Sequence, residues 1–262
     1  METPEIVGDL LAGKVYKAFG TLHPDAGLAL LEPNMILTMA GSMGMKPSTY
    51  FPLYGASESD IADVKEQFKQ LVPSLGLHIF DVEPIDGKTC KVDFIHVVNF
   101  PALEQVTHRT TIPGILPFTI GEASDNDALL QQFHEWHREM NERFSQPISE
   151  HTSITAMSLL KGVLFGYPDR ANKDLFHSIT HNATNMVLMI MQFTEDYYSP
   201  FSANFEIYPN HLRETSIVQY VNKAESILRG FYRNPLSEDM LNRPDYEEAE
   251  KRRALIAERE NN

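Results

Sequence analysis

The chain has 262 residues, 42% of them hydrophobic, which is enough for one large domain or two modest ones with cores that need no covalent help. Its 22 basic against 36 acidic residues give a formal net charge of -14, which repels phosphate backbones and sets nucleic acid aside as a partner. The single Cys90 can form no internal disulfide, the acidic N-terminus is unlike a secretory signal, and the longest apolar run, Met186 to Met191, is far short of the ~20 residues a spanning helix needs, so a cytoplasmic, soluble protein with no transmembrane segment is expected.

Ile6, Leu10, Leu11, Val15 and Phe19 fall at helical spacing, and Gly20 can close that helix. Leu28 to Thr38 is apolar without a clear period and runs into a stretch where Gly41, Gly44 and Pro47 predict an irregular loop. Met35, Met39, Met43 and Met45 make that region adaptable, and it is one candidate contact surface. A helix is predicted from Ser57, with Ile61, Val64, Phe68 and Leu71 on one face and Pro73 as its stop. Leu77 to Glu83 and Thr89 to Val98 read as two strands of a hairpin around Asp86-Gly87. Phe100 to Gly121 reads as a connection with room for a short strand, and a boundary between two parts falls near Gly121.

The second half reads as helical. One helix starts at Ser124 or Asp125 and runs to Phe144, and another spans Thr152 to Phe165. Gly166-Tyr-Pro-Asp169 then makes a tight corner into a helix with Phe176, Ile179, Ala183, Met186, Val187, Ile190 and Phe193 on one side. Phe201 to Tyr208 is a candidate short strand, and two helices follow, from about Leu212 to Phe231 and from about Ser237 into the tail. The fold class is therefore α+β, mainly helical: residues 1–121 hold a small antiparallel sheet, residues 122–262 are helical with a charged tail, and whether these are one domain or two stays open.

No complete catalytic or nucleotide-binding motif is present. Asp174, His177 and His181 fall at i, i+3 and i+7 on one helix face and could ligate a divalent metal, as a metal-dependent hydrolase would require. The competing reading is a solvated polar face. No spacing decides whether the distant His23, Asp93, His108 or His211 converge on it. His134-Glu-Trp-His137 has one residue too few between its histidines for a zinc protease helix, and Gly41 to Ser48 holds phosphate-loop residues in an order that cannot cradle phosphate. Cys90, in a predicted strand, reads as a small buried residue.

The last eighteen residues, Asp245 to Asn262, hold Glu247-Glu-Ala-Glu250 beside Tyr246, followed by Lys251, Arg252 and Arg253 on a run of strong helix formers. This tail resembles the glutamate-rich C-terminal patch of proteins that intracellular bacteria inject into host cells through type IVB secretion systems. The resemblance implies translocation into a host cell and action on a host partner by protein binding. The other expectations are the hydrolase using Asp174, His177 and His181, and a structural or adaptor protein. For the tail itself the alternative is a solvated mixed-charge helix, with Glu247 and Lys251 paired across one turn.

Overall fold

The computed structural model describes residues 2–43, 45–53, 58–81, 93–109, 162, 165–181, 187–189 and 205–251. Helix α1 (Pro4–Phe19) begins where the Thr3 hydroxyl accepts the Ile6 N–H and Pro4 supplies a preset φ, and it ends at Gly20. Its buried face is Val7, Gly8, Leu11, Ala12, Val15 and Phe19. That face is rotated from the predicted stripe, because Ile6 and Leu10 are 49% and 50% exposed. The reason lies in α7 (Thr215–Tyr232), which crosses α1 so closely that only glycine fits at two points. A Cβ on Gly8 would overlap the carbonyl oxygen of Ile227, and one on Gly230 would overlap that of Glu5. Backbone thus approaches backbone, and Ile6 and Leu10 are turned outward to allow it.

Helices α2 (Pro24–Leu30) and α3 (Pro33–Met39) occupy the apolar stretch for which no period was visible, each opened by a proline in its first turn. Both lie almost wholly in the core, and a helix buried all round shows no amphipathic period. The methionines do not form a contact surface: Met35, Met39 and Met45 are buried and Met43 packs against the same core. Gly41 begins a short 3-10 turn and lies against the side chain of Asn99.

Strand β1 (Ser48–Leu53) was not predicted; its Pro52 counts against a strand, but β1 is an edge strand, where proline is tolerated. Helix α4 (Glu58–Leu71) follows as predicted, burying Val64 and Phe68. It passes into a 3-10 turn (Val72–Leu75) that Gly76 closes at φ 73°. The two predicted hairpin strands are β2 (His78–Asp81) and β3 (Asp93–Val98), paired antiparallel with His78 opposite Val98 and Asp81 opposite Ile95. Strand β3 is central, since β1 pairs antiparallel with its other edge. The segment predicted as a connection after Asn99 is instead α5 (Phe100–Arg109). Asn99 caps it by accepting the Ala102 N–H through Oδ1, and Pro101 sits in the first turn.

The predicted helix from Asp125 to Phe144, most of that from Thr152, Cys90, His134, His137 and the boundary near Gly121 lie outside the described residues. The corner at Gly166 is present, at φ 67°, with Met45 and Pro47 packed against it. Helix α6 (Asp169–His181) follows, but it does not continue to Phe193: Val187–Met189 form strand β4, paired antiparallel with β5 (Phe205–Ile207). A short apolar run is compatible with either state, and here pairing with β5 decides. Ala171, Ile207 and Ile217 form a small second core joined to the first through Tyr220 and Val221.

After α7 come α8 (Pro235–Leu241), capped by Asn234, and the helical residues 244–251, here α9. Tyr246 and Ala249 of α9 are buried with α1, α2 and α7 in the main core. The Tyr246 ring stacks on Phe19 at 4.0 Å, its hydroxyl donates to the Phe19 carbonyl at 3.1 Å, and it fills the space left by Gly27. Arg243 lies over both rings, 5.7 Å from the Phe19 centroid and 5.1 Å from that of Tyr246. The described protein is mainly helical α+β, as the sequence implies, and no described helix is long and apolar enough to cross a membrane.

Candidate functional site

Asp174, expected on a polar face, is buried where α6 packs on β5 and the turn after it. Its carboxylate accepts the His211 Nδ1–H at 2.8 and 3.0 Å and the backbone N–H of Tyr208 at 3.1 Å. A carboxylate beside Nδ1 fixes a proton there, and in the neutral ring Nε2 is then the acceptor. Asn210 Nδ2 lies 3.2 Å from that nitrogen, a donor in the right place. His211 is thus held from both sides, and Asp174 is the buried post to which the 208–211 turn is tied.

His177 is exposed one turn further along α6, and its Nδ1 lies 3.0 Å from the Tyr208 hydroxyl. Tyr208 stands between the two imidazoles, edge-on to each, with centroids 5.8 and 6.0 Å away. Glu214 continues the network: Arg170 donates to it through Nε at 2.9 Å and reaches its other oxygen at 2.7 Å. The Arg170 hydrogen bond holds the Glu214 carboxyl below the usual carboxylate range.

Of the three predicted metal ligands, Asp174 and His177 are thereby engaged with different groups of the 208–211 segment. His181 ends α6, and its side chain lies outside the described residues. Of the distant residues whose convergence was open, His211 does reach Asp174, 37 positions along the chain. Tyr208, Arg170 and Glu214 were not singled out from sequence, and no local spacing could have marked them, because they meet only through the packing of α6 on β5. Among the described residues no group of three or more His, Cys, Asp or Glu side chains is arranged to hold a metal ion.

A second polar group is Lys46, in the stretch whose glycines, lysine and serine stand in the wrong order for a phosphate loop. It is buried, with Nζ 5.5 Å from the Phe165 centroid and 5.6 Å from that of Tyr167. No carboxylate among the described residues pairs with it, and burial pushes its ammonium down to about 7. Burial raises the phenol of the neighbouring Tyr167 to about 12, and Lys223 donates to the Met43 carbonyl.

The C-terminal helix is the third candidate. Glu247, Glu248 and Glu250 are exposed, and Lys251 donates to Glu247 at 2.6 Å, the one-turn pair expected of a solvated helix. Compared with known protein families, curated proteins and solved structures, the chain matches none.

Proposed function

We propose that the protein is translocated into a host cell through its C-terminal helix and acts there by binding a protein partner. One observation carries this reading: α9 is fastened to the core by Tyr246 and Ala249 while it turns Glu247, Glu248 and Glu250 to solvent. A docked helix presents the acidic patch in a fixed orientation, which lowers the ordering cost a receptor must otherwise meet. The net charge of -14 favours a partner with a basic surface, whose association is fast at low salt and slows as salt screens it.

Deleting the tail is a poor test, because it removes Tyr246 and Ala249 from the core together with the glutamates. Replacing Glu247, Glu248 and Glu250 by glutamine keeps helix and core while removing the charge. In bacteria with a type IVB system, a translocation reporter fused ahead of the chain should lose roughly tenfold or more of its signal on this replacement, about the effect of 1.4 kcal/mol on recognition. Undiminished translocation of a stably folded glutamine variant would refute the proposal.

A further inference from the structure

The outer face of α1 is unlike that of the other described helices. Ile6 and Leu10 stand half exposed on it, one turn apart, and Gly13 follows with nothing within 4 Å of where its Cβ would be. A glycine inside a helix weakens it relative to alanine, and Gly13, unlike Gly8, has no packing neighbour that requires it. At 3.6 residues per turn, Ile6, Leu10, Gly13 and Lys17 fall within about 60° of one another. The face also carries opposite charge at its two ends: Glu2 just before the helix start, and Lys17, with Lys14 beside it, at the helix end. Among the described residues Lys14 and Lys17 make no ion pair or hydrogen bond through their side chains. A groove of about 610 Å³ runs along one side of this helix, lined by Leu10, Gly13 and Lys17 together with the buried Leu11 and Met39 and with Asn234.

We propose that this face is the contact between two copies of the chain, with their α1 helices antiparallel about a twofold axis between residues 9 and 10. In that arrangement Ile6 of each copy lies over the Gly13 notch of the other, and the Leu10 side chains meet near the axis. Glu2 of each copy comes opposite Lys17 of the other, so the acidic start of one helix meets the basic end of its mate. Only an antiparallel pair satisfies both; a parallel pair sets like charges together. The contact is self-complementary, as a twofold interface must be. A helix of 16 residues is about 24 Å long, and one such pair covers less than the standard stable interface, so association is weak and depends on concentration.

Sedimentation velocity on the full chain from about 1 to 200 µM should show a monomer passing into a dimer, as expected for micromolar affinity. Ile6→Ser with Leu10→Ser should weaken the dimer roughly tenfold or more, since both side chains are solvated in the monomer and covered in the pair. Lys17→Glu should weaken it about threefold, and Glu2→Lys combined with Lys17→Glu should restore it, because the two symmetric pairs are re-formed with signs exchanged. Thermal melts at low concentration check that each variant is folded. A wild-type chain that stays monomeric throughout overturns the proposal and leaves the face to a different protein. A dimer untouched by the Ile6/Leu10 change overturns it too, as does a charge exchange that restores nothing.

Discussion

Two glycines five residues apart in α1 should respond to the same substitution with opposite sign. A Cβ on Gly8 would overlap the Ile227 carbonyl oxygen and stand 2.8 Å from Phe231 N and 2.9 Å from the Ile227 carbonyl carbon, all backbone atoms that no rotamer change can move. Relief requires α1 and α7 to separate. Val7, Leu11, Val15, Ile227, Leu228 and Phe231 face that crossing, and at about 2 kcal/mol each their burial contributes about 12 kcal/mol. A gap of 0.5 to 1 Å forfeits about a quarter to a half of a contact's dispersion energy, so even the smaller loss, applied to this burial, is about 3 kcal/mol. Alanine returns about 1 kcal/mol of helix propensity, leaving Gly8→Ala about 2 kcal/mol less stable. Gly13→Ala meets open space and keeps the propensity gain, about 0.5 to 1 kcal/mol. Urea unfolding at low micromolar concentration, where any dimer dissociates, should place the two midpoints on opposite sides of wild type with unchanged slopes. In heating, Gly8→Ala should melt about 4 to 8 °C lower and Gly13→Ala about 1 to 4 °C higher. A Gly8→Ala chain as stable as wild type would show that the α1–α7 crossing is looser than described.

Tyr246→Phe keeps the stack on Phe19 and loses one hydrogen bond, so it should cost about 1 kcal/mol in urea unfolding. Tyr246→Ala should remove about 3 kcal/mol or simply release α9, seen as fast amide exchange over residues 244–251 with the rest protected; equal effects of the two substitutions would refute the packing role. Lys46 has its folded pKa lowered to about 7, so between that pH and the unfolded value the unfolded chain binds more protons and stability rises with pH. Lys46→Met should therefore be the more stable chain at pH 7, with an advantage that narrows by about 1 kcal/mol per pH unit up to pH 9; parallel stability curves would show that the ammonium is solvated. Asp174→Asn should cost about 2 kcal/mol in thermal or urea unfolding, because it weakens the charge-assisted bond to His211 and the bond from Tyr208 N–H. Retained stability, with the His211 ring signals unchanged by NMR, would refute the tie between α6 and the 208–211 turn.

The elements legible in the sequence are those whose signals are local. The α4 stripe with its proline stop, the β2 and β3 strands, the Gly166 corner, the short strand at β5 and the span of α7 all rest on periodicity or turn chemistry within about twenty residues. The elements misjudged are those whose environment is set from afar. Helices α2 and α3 are buried all round and so carry no period, β1 keeps its proline because it is an edge, and Val187–Met189 are strand because β5 is their neighbour. Asn99-Phe-Pro, by contrast, is a local signal for the capped start of α5, an N-cap asparagine followed by a proline in the first turn.

By itself the sequence determined the class of fold, the net charge that repels polyanions, and a terminal helix rich in exposed carboxylates. Composition and short-range spacing suffice for these, since they depend on neighbours along the chain. Only the tertiary structure decided which face of α1 is buried, that the methionines belong to the core, that Tyr246 fastens the tail, and that Asp174 meets His211 rather than standing on an open face. Each of these is settled by a contact between segments far apart in the chain. The glycines at the α1–α7 crossing and the ring against Gly27 fit only one partner surface, and no pattern within a single element records which surface that is.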